Sequence, residues 1–216
     1  MADIVISELT KTFGKAAAVD HVSLNWQSGK IHGLVGRNGS GKTVLLKCVC
    51  GLMLPTSGII TLDGKPVDGK KRLPVEIGAI IEQPGFLPNC SAYKNLSLLA
   101  DIRSKIGKNR IIESIRMVGL DPSSRKHVGK YSMGMRQRLG IAQAIMEDPD
   151  VLIFDEPMNG LDNDGVAEMR QLFMRLRDMG KTIILASHNP LDIDTLCDTV
   201  CELNLGKLVN FTEKSR

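Results

Sequence analysis

Apolar residues fall in short bursts along this chain, and their spacing changes from segment to segment. Near the start, Ile4 to Leu9, Val19 to Trp26 and Ile59 to Leu62 are flanked by Gly, Lys, Asp or Ser. Such runs predict strands bounded by turns. Ile31 to Val35 is a compact apolar run that leads into a glycine-rich loop and then the stretch Thr43 to Leu52. That order predicts a strand, a loop and a helix. From about Ser91 to Met146 the apolar positions recur at helical spacing, as at Leu96, Leu99 and Ile102, at Ile112, Ile115 and Val118, and at Leu139, Ala142 and Ile145. Val151 to Phe154 is apolar throughout and bounded by Asp150 and Asp155, the pattern of a buried parallel strand. Val166 to Met179 predicts a helix stopped by Gly180, and Thr182 to Ala186 another buried strand. Alternating strands and helices imply an α/β core, with the helical middle inserted into it as a subdomain.

Composition narrows the function classes. At 216 residues the chain fits one large domain or two merged lobes, with 43% hydrophobic residues to fill a core. The net charge of +4 is spread out. Its densest basic patch, Lys65 to Arg72, has no interleaved aromatics, so it predicts a solvated turn and no nucleic-acid partner. Five cysteines form no C-x-x-C pair, and their odd count argues against a disulfide framework and for a reducing cytoplasm. No apolar run approaches the roughly 18–20 residues that a bilayer requires. The N-terminus, Met1-Ala-Asp-Ile-Val, lacks the basic and apolar regions of a signal peptide. A membrane role would have to come through a partner chain.

Two segments carry chemistry. Gly36-Arg37-Asn38-Gly39-Ser40-Gly41-Lys42-Thr43, followed by Val44, fits the phosphate-loop pattern G-x-x-x-x-G-K-[ST] between a strand and a helix. Glycines let the backbone wrap phosphates, and the helix that follows presents its positive end to the anion. Lys42 would place a point charge on the β- and γ-phosphates, and the Thr43 hydroxyl would coordinate Mg²⁺. In Val151-Leu152-Ile153-Phe154-Asp155-Glu156, an apolar strand ends in two carboxylates at the carboxyl edge of the sheet. Asp155 would hold Mg²⁺ through its water shell, and Glu156 would polarise a water for attack on the γ-phosphate. Together they predict a nucleoside triphosphatase without saying which.

Further residues carry a resemblance to the ABC ATPase family along almost the whole chain. Tyr131-Ser132-Met133-Gly134-Met135, followed by Arg136-Gln137-Arg138, resembles the family's signature segment, usually read Leu-Ser-Gly-Gly-Gln. Ser132 and Gly134 match it, whereas Tyr131, Met133 and Met135 depart. This form is similar to bacterial exporters of the bacitracin-resistance and lantibiotic-immunity type. Gln83, after Ile77 to Ile81, is similar to the glutamine that bridges Mg²⁺, water and the membrane partner. Asn159-Gly160-Leu161-Asp162 resembles the segment that crosses the dimer interface, and His188 the switch histidine that contacts the γ-phosphate. Phe13 stands where the family stacks an aromatic on adenine.

The resemblance implies a P-loop NTPase core with an N-terminal antiparallel β subdomain and an inserted helical subdomain. One domain would span 1–216, with 1–83 and 147–216 as core and 84–146 as the helical subdomain. It implies ATP and Mg²⁺ as cofactors, and ATP hydrolysis coupled to transport. The partners would be a transmembrane permease and a second ATPase subunit, in a homodimer on the cytoplasmic face of the cell membrane. Ser132, Gly134 and Met135 would then meet the γ-phosphate held by the other subunit. Gly134 would face that phosphate, while Met133 would point away into the helical subdomain. Pro84 to about Lys108, opening with Pro84-Gly85-Phe86-Leu87-Pro88, would dock the permease. An importer ATPase and a non-transport ABC protein are the alternatives. Importer ATPases often carry a C-terminal regulatory domain, and DNA-repair members carry coiled-coil insertions.

Overall fold

A computed structural model describes residues 2–69, 73–82 and 84–214. The first half opens with β1 (Ile4–Phe13) and β2 (Ala16–Trp26), an antiparallel pair in which Ile4 lies opposite Trp26 and Phe13 opposite Ala16. β3 (Ile31–Val35) and α1 (Lys42–Val49) follow, then β4 (Ser57–Leu62), β5 (Lys65–Pro66) and β6 (Ile77–Ile80). Three helices come next: α2 (Ala92–Arg103), α3 (Lys108–Met117) and α4 (Met133–Ile145). The chain then runs through β7 (Val151–Asp155), α5 (Asn163–Asp178), β8 (Thr182–Ala186), α6 (Pro190–Leu196), β9 (Thr199–Asn204) and β10 (Lys207–Glu213).

These strands form two sheets. One is antiparallel, in the order β2-β1-β4-β5. The other is ordered β10-β9-β3-β8-β7-β6, parallel except for the β9–β10 pair. β7 and β8 are buried on both faces, which is why they read as unbroken apolar runs. The two-residue period of a strand divides their side chains between two cores. Leu152, Phe154, Ile183 and Leu185 join one core with residues of α2 to α6. Val151, Ile153, Ile184 and Ala186 join the other with α1 and the antiparallel sheet. Phe154 stacks on Phe173 of α5 at a centroid distance of 4.7 Å.

The layering explains what each end of the parallel sheet can do. Parallel neighbours β3, β8 and β7 all finish at the same edge, and a loop leaves each strand there. Of the basic patch, Lys65 lies in β5, while Lys70 to Arg72 lie outside the described residues. No disulfide joins the described cysteines, and burial pushes the Cys50 thiol up to about 12 and Cys201 to about 11, so these two behave as small apolar side chains. No described helix is long and apolar enough to cross a membrane.

Candidate functional site

The loop after β3 turns sharply into α1. Gly41 caps that helix at φ +104, and a Cβ there would lie 2.2 Å from the Ala18 carbonyl oxygen of β2. Only glycine satisfies both demands. No side chain caps α1, so its first-turn amides keep their positive end available to an anion. The Ser40 hydroxyl is buried and has no hydrogen-bond partner among the described residues. Lys42 is buried too, and its Nζ donates to the Gly36 carbonyl at 2.6 Å and the Arg37 carbonyl at 3.3 Å. Its charge rests on its own loop, within reach of whatever the loop wraps.

The loops after β7 and β8 bring in the other groups. Thr43 Oγ1 donates to Asp155 Oδ2 at 2.7 Å, across 112 residues of sequence. Glu156 follows in a left-handed conformation, φ +52, while its N–H stays paired with the Ala186 carbonyl at 2.9 Å. A non-glycine residue held there costs on the order of 1–3 kcal/mol, a strain that turns the chain away from the strand line at this edge. His188 Nδ1 lies 2.8 Å from Glu156 Oε2. Asn38 to Val44, Glu82, Met133, Gln137, Asp155, Glu156 and Asn159 line one cleft of about 470 Å³. It offers a cation, two hydroxyls and carboxylates beside a helix start, which suits a nucleotide's phosphates and a hard divalent cation.

The ABC transporter family profile matches residues 19–159. The chain belongs to this family. It is 42% identical to the ABC transporter ATP-binding protein YybJ of Bacillus subtilis over 95% of this chain and 94% of that one. It is 43% identical to the bacitracin transport ATP-binding protein BcrA of Bacillus licheniformis, over 95% of this chain and 68% of BcrA. It is 35% identical to the lantibiotic transport ATP-binding protein SrtF of Streptococcus pyogenes, over 94% of this chain and 88% of SrtF. Its fold matches the dimeric bacterial ABC transporter cassette MJ0796 with a TM-score of 0.90, at 23% identity and 99% coverage of both chains. The chain is thus an ATP-binding, ATP-hydrolysing subunit of an ABC transporter, the class of ATPase that works with a membrane permease.

Within this ABC fold the expected site residues fall into groups. Asn38 to Val44, Asp155, Glu156 and Asn159 share the cleft, and His188 reaches it through Glu156. Gly36 and Arg37 border a separate hollow with Glu202, Leu203 and Asn204. Phe13 stands with an exposed ring at the end of β1, outside the cleft lining, with Lys11 Nζ 5.4 Å from its centroid. Asp162 caps α5 by accepting from the Gly165 N–H at 2.9 Å. Gln83 lies outside the described residues.

The signature segment departs from expectation. Ser132 caps α4, its Oγ accepting from the Met135 N–H at 3.1 Å. Met133 does not point into the helical region; it is half exposed, lines the cleft and lies on Gly160. Gly134 is buried within the single chain, with the Gly160 carbonyl oxygen 2.6 Å from where its Cβ would stand. Glycine at 134 is therefore required by the approach of the 157–162 turn within the same chain. Sequence reasoning also passed over Glu82, which lines the cleft and pairs with Lys47 of α1 at 2.6 Å. The signal was present, because Glu82 follows the apolar run of β6 as Asp155 closes that of β7.

Proposed function

We propose that the chain powers export of a peptide antibiotic or similar compound through a separate membrane permease, as one of two like ATPase subunits at the cytoplasmic face of the membrane. The observation that carries the cargo class is the likeness to bacitracin and lantibiotic transport ATPases over nearly the whole chain. Outward movement is the direction that keeps such a peptide from a membrane it would damage.

The roles follow from the cleft. Lys42 and the amides of loop 36–43 bind the phosphates, and Thr43 with Asp155 offers the oxygen ligands that suit Mg²⁺. When bound, Mg²⁺ supplies positive charge across the phosphates. Glu156 orients the attacking water and takes its proton, while His188 holds Glu156 and reaches the γ-phosphate. Phe13 offers an open ring face to adenine. Ser132, Gly134 and Met135 serve the ATP of the second subunit, with Asn159 and Asp162 at the contact between subunits. Residues 1–83 and 147–216 form the ATP-binding core. Residues 84–146 form the helical subdomain, and its stretch from Pro84 to about Lys108 docks the permease, with Leu87, Leu98 and Ile102 presenting apolar side chains to solvent.

Susceptibility tests this reading. Cells lacking the chain should become more sensitive to bacitracin or a lantibiotic, and the wild-type chain should restore resistance where Lys42→Ala does not. The chain should also co-purify with a polytopic membrane protein. Unchanged sensitivity, together with loss of uptake of a nutrient, would overturn export.

A further inference from the structure

His188 sits in a three-residue stretch between β8 and α6, and its imidazole is about two-thirds exposed, 65% for the side chain. Side-chain packing therefore does not hold the ring beside Glu156. Its flanking residues are held instead. Ser187 is buried, and its N–H donates to the Leu34 carbonyl of β3 at 3.4 Å. The Ser187 Oγ accepts from the Asn189 N–H at 3.1 Å, so one hydroxyl ties together both neighbours of His188.

That hydroxyl is itself oriented. Ser187 Oγ donates, over a long 3.4 Å, to Oδ2 of Asp192 in α6, a carboxylate only 1% exposed. Arg170 of α5 donates through Nε to Asp192 Oδ1 at 2.9 Å, and its Nη2 closes on the same oxygen. Both guanidinium nitrogens converge on Oδ1, which leaves Oδ2 to Ser187. A buried carboxylate is tolerated only when paired and hydrogen-bonded. A pair that served packing alone would not need its second oxygen turned to the loop that carries His188.

We propose that Asp192 is a positioning residue for His188, with Arg170 fixing the carboxylate and Ser187 relaying its position to the backbone on either side of the ring. The proposal rests on the reading of His188 as a group that acts at the γ-phosphate. Asp192 does not line the cleft, and its hydrogen bonds go to Arg170 and Ser187. Its removal should therefore leave ATP binding at the phosphate loop intact and reduce only the turnover that depends on His188.

Steady-state ATPase kinetics of the full chain test this. Asp192→Ala leaves Arg170 buried and unpaired, so Ser187→Ala, which keeps that pair, is the decisive variant. Ser187→Ala should lower kcat about tenfold or more, as misplacing a catalytic group does, with KM for ATP nearly unchanged. Ser187→Thr should restore kcat, because it returns the hydroxyl. In a His188→Ala background, Ser187→Ala should cause no further loss, since a positioning residue acts only through the group it positions. A multiplicative loss in the double variant would overturn the proposal. So would a Ser187→Ala chain with a lower Tm and unchanged kcat, because that is the mark of a purely structural role. Full kcat in His188→Ala would overturn the reading of His188 itself, and the proposal with it.

Discussion

The Met133 side chain lies where Gly160 could not carry a side chain of its own: a Cβ on Gly160 would stand 2.6 Å from Met133 Cγ and 2.9 Å from its Sδ. The next residue repeats the relationship in reverse, with the Gly160 carbonyl pressed against Gly134. The start of α4 and the 157–162 turn are thus fitted to each other within one chain. The two positions should then respond unequally. Gly134→Ala forces its methyl onto a backbone oxygen that cannot swing away. Overpacking of that kind costs about 1–3 kcal/mol and should lower Tm by roughly 2–12 °C. ATPase activity should fall with it, because the turn continues directly from Glu156. Met133→Gly merely uncovers Gly160 and should retain most activity. Thermal melts and ATPase rates of the two variants decide between these outcomes, and a Gly134→Ala chain indistinguishable from wild type would contradict the packing argument.

Lys42→Ala should weaken ATP binding and abolish turnover while leaving the fold intact. In the structure the ammonium rests on the Gly36 and Arg37 carbonyls, which lie at the margin of the loop and can turn to water once it is gone. What is lost is a charge-assisted contact to phosphate, worth about 1.5–3 kcal/mol, or roughly 10- to 100-fold in Kd. Titration with a fluorescent nucleotide measures it. Unchanged affinity would remove Lys42 from the site.

Glu156→Gln should trap the ATP-bound form. The amide oxygen can still accept from His188 Nδ1, so the 2.8 Å contact and the strained turn have no cause to rearrange. The amide cannot take a proton from water, and loss of a general base costs roughly 10²-fold or more. With hydrolysis slowed, two subunits closed on ATP should accumulate. Size-exclusion chromatography with and without MgATP is the check, and a monomer under both conditions would count against the shared site.

The strands buried on both sides were the most fully legible from sequence, bounds included, whereas the half-exposed β1, β2 and β4 were read in place but short at one end. β3 and β8 match their runs end to end, and β7 adds only Asp155, because a central parallel strand is covered on both faces and draws apolar residues at most positions, with His32 and Thr182 as buried polar exceptions. The peripheral elements carried no such mark. β10 is exposed along most of its length, and α6 has only seven residues, started by Asn189 and Pro190 with no room for a helical repeat. Within the site, Lys42, Thr43, Asp155 and Glu156 could be read because each sits in a local motif that directly follows or closes an apolar strand run. Met133 could not. Its direction depends on Gly160, a contact between two loops that no local spacing encodes.

His32 gives a prediction for stability against pH. It lies in β3 fully buried, with Nε2 donating to the Gln27 carbonyl at 2.8 Å and Nδ1 accepting from Thr199 Oγ1 at 2.7 Å in the tautomer that satisfies both partners. Burial pushes its pKa down from 6.5 to about 4, against the opposing pull of the Gln27 carbonyl. Between those two values the unfolded chain binds a proton that the folded chain refuses. This contribution to stability is therefore intact above about pH 6.5, declines as the pH falls towards 4, and levels off below. A shift of this size corresponds to roughly 3 kcal/mol across the window. Other groups also titrate there, so the comparison must be between chains. His32→Gln, which has no proton to gain, should lose less stability between pH 7.5 and pH 4.5 than wild type does, as read from urea midpoints at the two pH values. Parallel losses in the two chains would mean that the buried imidazole is not what makes the fold acid-sensitive.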